Sequence, residues 1–333
     1  MTAETMTKAA PRPGPGLWDR IRDNRDVLAL PVMFLLAVVV FSIGAENFLT
    51  ADNLTNVARQ SVYLLIVAMG QLVVMICGGM DLSVGSNVAL TSVGSAIVMA
   101  GIATAMPDAP WLALWAGLGA GLAIGTAVGL VNGLGVTVLG INPFMMTLGM
   151  SSVVFGITLF ISGGVPIYGI PMLHGEIFGF GRIAGFPIPS IFAIAMVALT
   201  WVALEWTRFG RHLYAAGGND RAARLSGVHT GRVRVAAYML CGLMAALSGL
   251  LMTARLGTGE ANIGGTLPLE SIAACVISGV ALSGGRGRTL AVVVGTLLIM
   301  LVQNGLNLMQ VGAYAQSVAT GGILIIAMAL SRR

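Results

Sequence analysis

The feature of this sequence that most limits its possible folds is a series of apolar runs, most of them about 20 residues long and almost free of charge. An α-helix needs about 20 apolar residues to cross the hydrocarbon layer of a bilayer. The runs predict ten membrane spans, at 27–45, 61–79, 84–106, 111–137, 144–162, 188–206, 235–254, 269–283, 289–308 and 314–330. The fourth run is long enough to be tilted or broken near Gly125, and the eighth is short enough to be partial or re-entrant.

Composition excludes an ordinary soluble domain. Only 9% of the 333 residues are charged and 56% are hydrophobic, whereas a soluble domain carries about 25% charged residues. The 46 glycines lie among Leu, Val and Ile without a three-residue period. They therefore indicate close helix packing through small residues rather than a collagen-like chain.

Basic residues are grouped in the gaps between apolar runs, and this placement predicts orientation. Because Lys and Arg collect in cytoplasmic loops, a cytoplasmic N-terminus puts all basic residues inside except Arg59, Arg182 and Arg255. We therefore predict an all-α integral membrane protein with about ten transmembrane helices, some short or broken, and with cytoplasmic N- and C-termini. The net charge of +5 reflects this orientation, and no nucleic-acid partner is expected.

Composition also divides the chain into two regions. Residues 1–26 are polar and rich in Pro and Gly, which predicts a flexible cytoplasmic tail, and residues 27–333 form the predicted transmembrane domain. The first apolar run follows several arginines and could also be read as a signal peptide cleaved near Ile43-Gly44-Ala45. At about 19 residues the run is long for a signal core, so we favour an uncleaved helix.

The polar break between the second and third runs holds the first candidate site. A carboxylate costs about 2.5–3.5 kcal/mol at the centre of a membrane helix, and Asp81 lies between two long apolar runs. Gly79 permits a helix break, and Asp81 and Ser83 can cap the next helix at its free N–H groups. We predict helix-break or gating roles for Gly79, Asp81, Ser83 and Gly85; for Asp81, a cap and a direct gating or substrate role are both open.

The predicted cytoplasmic loop 207–234 holds the second candidate site. Asn219 or Asp220 is a good N-cap, the alanines and leucine that follow favour a helix, and Gly227 is a natural stop. This pattern predicts a helix of about two turns outside the membrane, small enough to seat in a cleft on another protein. A plain basic loop is the alternative.

The segment Leu282-Ser283-Gly284-Gly285 imitates the signature of ABC-type ATPases, but no nucleotide site accompanies it. A P-loop needs a Gly-rich loop ending in Gly-Lys-Ser/Thr, and the one lysine of the chain is Lys8. We interpret the segment as a Gly-rich turn at the inner surface. The three histidines lie in predicted loops and the three cysteines lie in apolar runs, so no catalytic centre, metal site or disulfide is expected.

Side-chain amides inside the apolar runs are the third set of candidates. Amides in a membrane bundle usually bind helix to helix, and a few can line a path for a polar solute. The possible path residues are Gln71, Asn87, Asn132, Asn304 and Asn307.

Three separated motifs resemble one family. The stretch Gly79-Met80-Asp81-Leu82-Ser83-Val84-Gly85 is similar to the Gly-X-Asp-Leu-Ser-Val-Gly motif of ribose/xylose-type sugar ABC transporter permeases. Residues 214–227 resemble their cytoplasmic coupling loop, and 282–288 with 304–308 are also similar. The resemblance covers roughly residues 50–330.

The resemblance implies an importer permease, multi-pass in the bacterial cytoplasmic (inner) membrane, that moves a monosaccharide or related polyol by alternating access. It implies four partners: a second permease subunit, identical or paralogous; a cytoplasmic ABC ATPase; a periplasmic or lipid-anchored sugar-binding protein; and membrane lipid. No cofactor is implied in this chain, since ATP and magnesium would be bound by the ATPase. The implied coupling helix consists of Asn219, Asp220, Arg221, Ala222, Ala223, Arg224, Leu225, Ser226 and Gly227.

Other functions fit the sequence less well. The same machine could carry a branched-chain amino acid, a nucleoside or a sugar-like signal molecule. An ion-coupled secondary transporter would need more intramembrane charges than Asp81 and Glu270 provide. An intramembrane enzyme would need a nucleophile and base or a metal cluster, for which the chain has no suitable set.

Overall fold

The computed structural model describes residues 25–312, together with 315, 316, 318, 321 and 322. This part of the chain is built almost entirely from helices. They are α1 (Arg25–Gly44), α2 (Ala51–Ile76), α3 (Val84–Ala105), α4 (Pro110–Thr137), α5 (Pro143–Ser162), α6 (Ile188–Glu205), α7 (Arg208–Gly218), α8 (Asp220–Leu225), α9 (Thr230–Leu256), α10 (Leu267–Ile277) and α11 (Thr289–Leu308).

Each of the first nine predicted spans overlaps one of these helices. Within the described residues, seven are long and apolar enough to cross a membrane, namely α2, α3, α4, α5, α6, α9 and α11. The eighth run forms α10, whose 11 residues extend about 16 Å at 1.5 Å per residue, roughly half of the hydrocarbon thickness. The predicted span 314–330 and the tail 1–26 lie largely outside the described residues.

The second span was placed wrongly at both ends. The helix begins at Ala51, ten residues before the predicted start, because the Thr50 hydroxyl accepts a hydrogen bond from the Asn53 N–H and caps its first turn. It ends at Ile76 because Gly78 adopts a left-handed conformation, φ +80°. The Gly78 N–H donates to Met75 O and the Gly79 N–H donates to Val74 O, both at 3.0 Å. This pair of bonds is a Schellman motif, which closes a helix end.

The segment between α5 and α6 is mostly irregular. It contains a helical turn, Met172–His174, and a π-helical turn, Gly175–Gly179. A small hairpin that was not predicted follows, in which β1 (Arg182–Ile183) pairs antiparallel with β2 (Phe186–Pro187). Its two turn residues, Ala184 and Gly185, both have positive φ, as a type I′ turn requires.

Helix α2 lies at the centre of the bundle, since every residue from Leu64 to Ile76 is buried. Helices α4 and α9 pack closely through glycines spaced four residues apart on α4: Gly121, Gly125, Gly129 and Gly133. A Cβ at Gly125 would lie 2.7 Å from Gly242 O, and one at Gly133 would lie 2.8 Å from Val235 Cα. Helix α4 is therefore continuous through Gly125, which provides close contact rather than a break.

Candidate functional site

The loop between α2 and α3, residues 77–83, alternates between buried residues and the more accessible Gly78, Met80 and Leu82. Asp81 is 1% exposed and Ser83 is 0% exposed. The Asp81 carboxylate accepts hydrogen bonds from the Ser83 N–H at 2.8 Å and from the Ser83 hydroxyl at 2.6 Å. The side-chain amide of Asn132 on α4 lies 3.4 Å from both carboxylate oxygens and donates to Ser83 Oγ at 2.8 Å. Both carboxylate oxygens thus have a donor nearby, and Oδ1 accepts the two shortest bonds.

A second amide holds the backbone of the same loop. In the orientation that satisfies its neighbours, the Gln71 amide donates to Asp81 O at 3.1 Å and accepts from the Asp81 N–H at 3.2 Å. Gln71 is on α2, so the helix before the break is bonded to the loop after it. We refer to Asp81, Ser83, Gln71 and Asn132 as the Asp81 cluster.

The predicted cap was wrong in its details. Ser83 occupies the N-cap position of α3, but its side chain accepts no hydrogen bond from that helix. It is a donor to Asp81 instead. The carboxylate therefore stabilises the loop that precedes α3 rather than the free N–H groups of its first turn.

Gly79 and Gly85 lie where other backbone or side-chain atoms approach closely. A Cβ at Gly79 would be 2.5 Å from the Tyr238 hydroxyl, which is itself 3.4 Å from Met80 O. A Cβ at Gly85 would overlap Gly264 O and lie 3.0 Å from Pro268 Cδ. Both positions therefore require glycine to fit the elements around the loop.

The five amides proposed for a solute path lie in different places. Gln71 and Asn132 belong to the Asp81 cluster. Asn87 donates to Gly125 O at 3.2 Å and Gly242 O at 3.4 Å, between α3, α4 and α9. Asn304 forms a reciprocal amide pair with Asn53, at 2.8 and 2.9 Å, and Asn307 is exposed at the end of α11. The structure thus brings only two of the five together, and their contacts tie helices to one another.

The helix predicted at 219–227 is confirmed as α8. Asn219 Oδ1 accepts from the Ala222 N–H at 2.9 Å, which caps its start, and Gly227 has φ +84° just beyond its end. Asp220 forms ion pairs with Arg224 at 2.9 Å and with Arg234 of α9 at 3.0 Å. The outer face of α8 presents Arg221, Ala222, Arg224 and Leu225, all exposed, with Leu225 at 84%.

A cavity of about 290 Å³ lies between the Asp81 loop and the start of α9. It is bounded by the end of α2, the turn between α4 and α5, and α9. Its lining residues are Cys77, Gly78, Gly79, Val136, Gly140, Ile141, Asn142, Pro143, Arg234 and Tyr238. Arg234 therefore contacts α8 and also lines the space next to the helix break.

Comparison with known proteins identifies the family. A family model described as "Branched-chain amino acid transport system / permease component" matches residues 53–328, most of the chain. The chain belongs to this permease family. The permease is 41% identical over 302 residues to the ribose import permease protein RbsC of Bacillus subtilis, covering 90% of this chain and 91% of that protein.

Two further relatives match this chain over a similar share of its length. The D-allose transport system permease protein AlsC of Escherichia coli is 36% identical over 303 residues, 90% of each chain. The galactose/methyl galactoside import permease protein MglC of Haemophilus influenzae is 35% identical over 310 residues, 90% of this chain and 92% of that one. No solved structure was found to match. The resemblance to sugar ABC transporter permeases is confirmed, and the permease is a multi-pass protein of the cytoplasmic membrane.

Two residues of the permease that contact or line this region, Arg234 and Tyr238, were missed from the sequence. Arg234 was assigned only to a basic loop, and Tyr238 was not singled out. Their spacing of four residues, which puts both on one face of a helix, was the available signal.

His174, expected in a loop, is 0% exposed, and neither ring nitrogen has a hydrogen-bond partner among the described residues. Burial lowers the pKa of His174 to about 4.

Proposed function

We propose that this chain is the membrane-spanning permease subunit of an ATP-binding-cassette importer that moves a monosaccharide or related polyol into the cell. The observation that carries the proposal is the similarity, over nine-tenths of each chain, to permeases named for ribose, allose and galactose. The solute would cross by alternating access.

The remaining parts of the importer follow from the same proposal. A separate ATPase subunit binds ATP and magnesium and docks on α8, whose exposed outer face supports a protein contact. A second permease subunit, identical or paralogous, completes the pathway. A periplasmic or lipid-anchored binding protein delivers the sugar at the opposite end.

A branched-chain amino acid is the second candidate solute, because the family description names that class. A zwitterion buried in the bundle needs a cation for its carboxylate. Among the described residues the buried charged side chains are Asp81 and Glu270, both acidic. Glu270 accepts a hydrogen bond from Gln303 at 2.9 Å. The other buried polar side chains are mainly hydroxyls and amides, which suit a neutral polyol.

The first test is a mild-detergent pull-down of the tagged chain from its own host, beside a variant lacking 219–227. We expect an ABC-type ATPase to co-purify with the intact chain and to be lost from the variant. Uptake of labelled ribose, allose, galactose and leucine by cells with and without the permease then assigns the solute. A chain that purifies without an ATPase, or uptake abolished by a protonophore while ATP is maintained, would favour an ion-coupled transporter instead.

A further inference from the structure

The segment 282–285 has no role in the site described above, yet its glycines meet two other glycine pairs. Gly78-Gly79 follows α2, Gly217-Gly218 ends α7, and Gly284-Gly285 lies between α10 and α11. A Cβ at Gly284 would lie 2.8 Å from Gly78 N and 2.9 Å from Gly217 O. Three segments far apart in the chain therefore touch through their backbones.

The contacts converge on the last carbonyl of α2. The Gly285 N–H donates to Ile76 O at 2.8 Å. A Cβ at Gly217 would overlap that same oxygen and lie 2.7 Å from Gly285 N. We call Gly78, Gly217, Gly284 and Gly285, with the Ile76 carbonyl, the glycine junction.

Backbone geometry restricts several of these positions to glycine. Gly78, Gly284 and Gly285 have φ of +80°, +90° and +74°, a region that other residues rarely adopt. Gly217 has ordinary φ, so the close approach of Ile76 O is what restricts it. The motif that resembles an ATPase signature thus has a structural explanation in the permease itself.

A side-chain hydrogen bond reinforces the junction. The Tyr214 hydroxyl of α7 donates to Gly287 O at 2.8 Å. Burial, with Glu205 nearby, raises the pKa of Tyr214 above its usual value of 10, so the hydroxyl keeps its proton at neutral pH and remains a donor. Helix α7 is therefore attached to the 284–287 loop at two places.

Along the chain, the junction adjoins both α8 and the Asp81 loop. Gly217 precedes Asn219, the cap of α8, by two residues, and Gly78 precedes Asp81 by three. Atoms in van der Waals contact cannot be compressed further, so closely packed elements shift together rather than deform. A displacement of α7 and α8 would press on the end of α2 at this point, with no flexible side chain between them.

We propose that the glycine junction is the positioning element that transmits movement of α7 and α8 to the Asp81 loop. This inference rests on the proposed function, in which an ATPase docks on α8. It assigns the 282–285 motif to coupling inside the membrane subunit rather than to nucleotide binding.

Two variants with a matched control test the proposal. Gly217→Ala places a methyl group against Ile76 O, whereas Gly218→Ala meets no atom within 4 Å. Tyr214→Phe keeps the ring and removes only the bond to Gly287. Each is purified as the complete complex with its ATPase, and hydrogen exchange of a peptide covering residues 74–84 is measured with and without a non-hydrolysable ATP analogue.

We expect the nucleotide to change exchange in this peptide at least threefold in the wild type and in Gly218→Ala. The change should fall below 1.5-fold in Gly217→Ala and to an intermediate value in Tyr214→Phe, while the ATPase stays bound. If the junction is only a structural contact, Gly217→Ala should lower thermal stability while the nucleotide still changes exchange in the peptide. If Gly217→Ala does not assemble with the ATPase, the response of Tyr214→Phe tests the proposal by itself.

The inference is overturned if the nucleotide does not change hydrogen exchange of the peptide in the wild type. It is also overturned if Gly217→Ala and Tyr214→Phe both keep the full wild-type response. Ribose uptake by the same wild-type complex in vesicles reports on the proposed function separately. A wild-type chain that binds no ATPase overturns both proposals, whereas ATPase binding with normal uptake and normal exchange in the variants overturns only the junction.

Discussion

The carboxylate of Asp220 on α8 lies 3.0 Å from the guanidinium of Arg234 on α9. One helical turn further along α9, the Tyr238 hydroxyl contacts Met80 O beside the helix break at 3.4 Å. Residues four apart lie on the same face of a helix. A single face of α9 therefore contacts both the proposed docking helix and the Asp81 loop.

The Asp220–Arg234 pair should stabilise the position of α8. The Arg234 side chain is 25% exposed and that of Asp220 is 33% exposed, so solvent screens the pair and we expect Arg234→Gln to cost about 0.5–1 kcal/mol. Arg221→Gln, on the exposed face of α8, should leave thermal stability unchanged but weaken ATPase co-purification. Melting temperatures in detergent measure the stability of each variant, and a pull-down measures ATPase co-purification. If the destabilisation in the Arg234→Gln, Asp220→Asn double variant equals the sum of the two single effects, the pair has no interaction energy and the prediction for Arg234 is wrong.

Replacing Asp81 by asparagine should weaken the loop before α3. The carboxylate accepts from three donor groups, and Asp81→Asn turns one of its oxygens into a fourth donor among them. Leaving buried donors without an acceptor costs about 1–3 kcal/mol, and we expect sugar uptake to fall at least tenfold. Asp108→Asn, at an exposed position, is the control. Equal uptake and melting temperature in the two variants would show that the cluster is dispensable.

Gly85 and Gly101 of α3 should respond in opposite ways to a methyl group. Gly85→Ala forces the helix away from Gly264 and Pro268, and overpacking of this kind costs about 1–3 kcal/mol. Gly101 is exposed and has no atom within 4 Å of a Cβ, so Gly101→Ala should be neutral or raise stability by about 0.5–1 kcal/mol through the better helix propensity of alanine. Thermal unfolding of the purified variants gives the comparison; an equal effect at both sites would refute close packing at Gly85.

Buried His174 should make the protein less stable in mild acid. Its pKa is about 4 in the folded chain and 6.5 ordinarily, so the unfolded chain takes up a proton first as the pH falls. Stability is then undiminished above pH 6.5 and declines between pH 6.5 and 4. At pH 5 the loss is on the order of 1–2 kcal/mol.

The histidine prediction is tested with melting temperatures at pH 7.5 and pH 5. The drop between them should be smaller in His174→Leu than in the wild type, because leucine has no proton to gain. His212→Leu, at an exposed position, should keep the wild-type drop. Identical drops in all three proteins would mean that the pKa of His174 does not differ between the folded and unfolded states.

Local features were predictable because neighbouring residues determine them. The apolar runs located the helices, since only a helix satisfies its own backbone groups in lipid. The glycines after Ile76 marked a helix break, and Asn219 with Gly227 marked the two ends of α8. The start of α2 was missed because its first turns are polar and resemble a loop.

The contacts at the site could not be read in the same way. Lipid tails are as apolar as a leucine side chain, so a membrane helix need not show in its sequence which face is buried. That Asn132 meets Asp81, that Tyr238 requires Gly79 to be glycine, and that Gly217 touches Ile76 all depend on which helices are neighbours. The sequence alone determined a helical membrane permease with a helix break after α2 and a short exposed helix, α8. Only the tertiary structure decided how the break and α8 are connected, because they are connected by packing through glycines, which have no side chain that could indicate their partners.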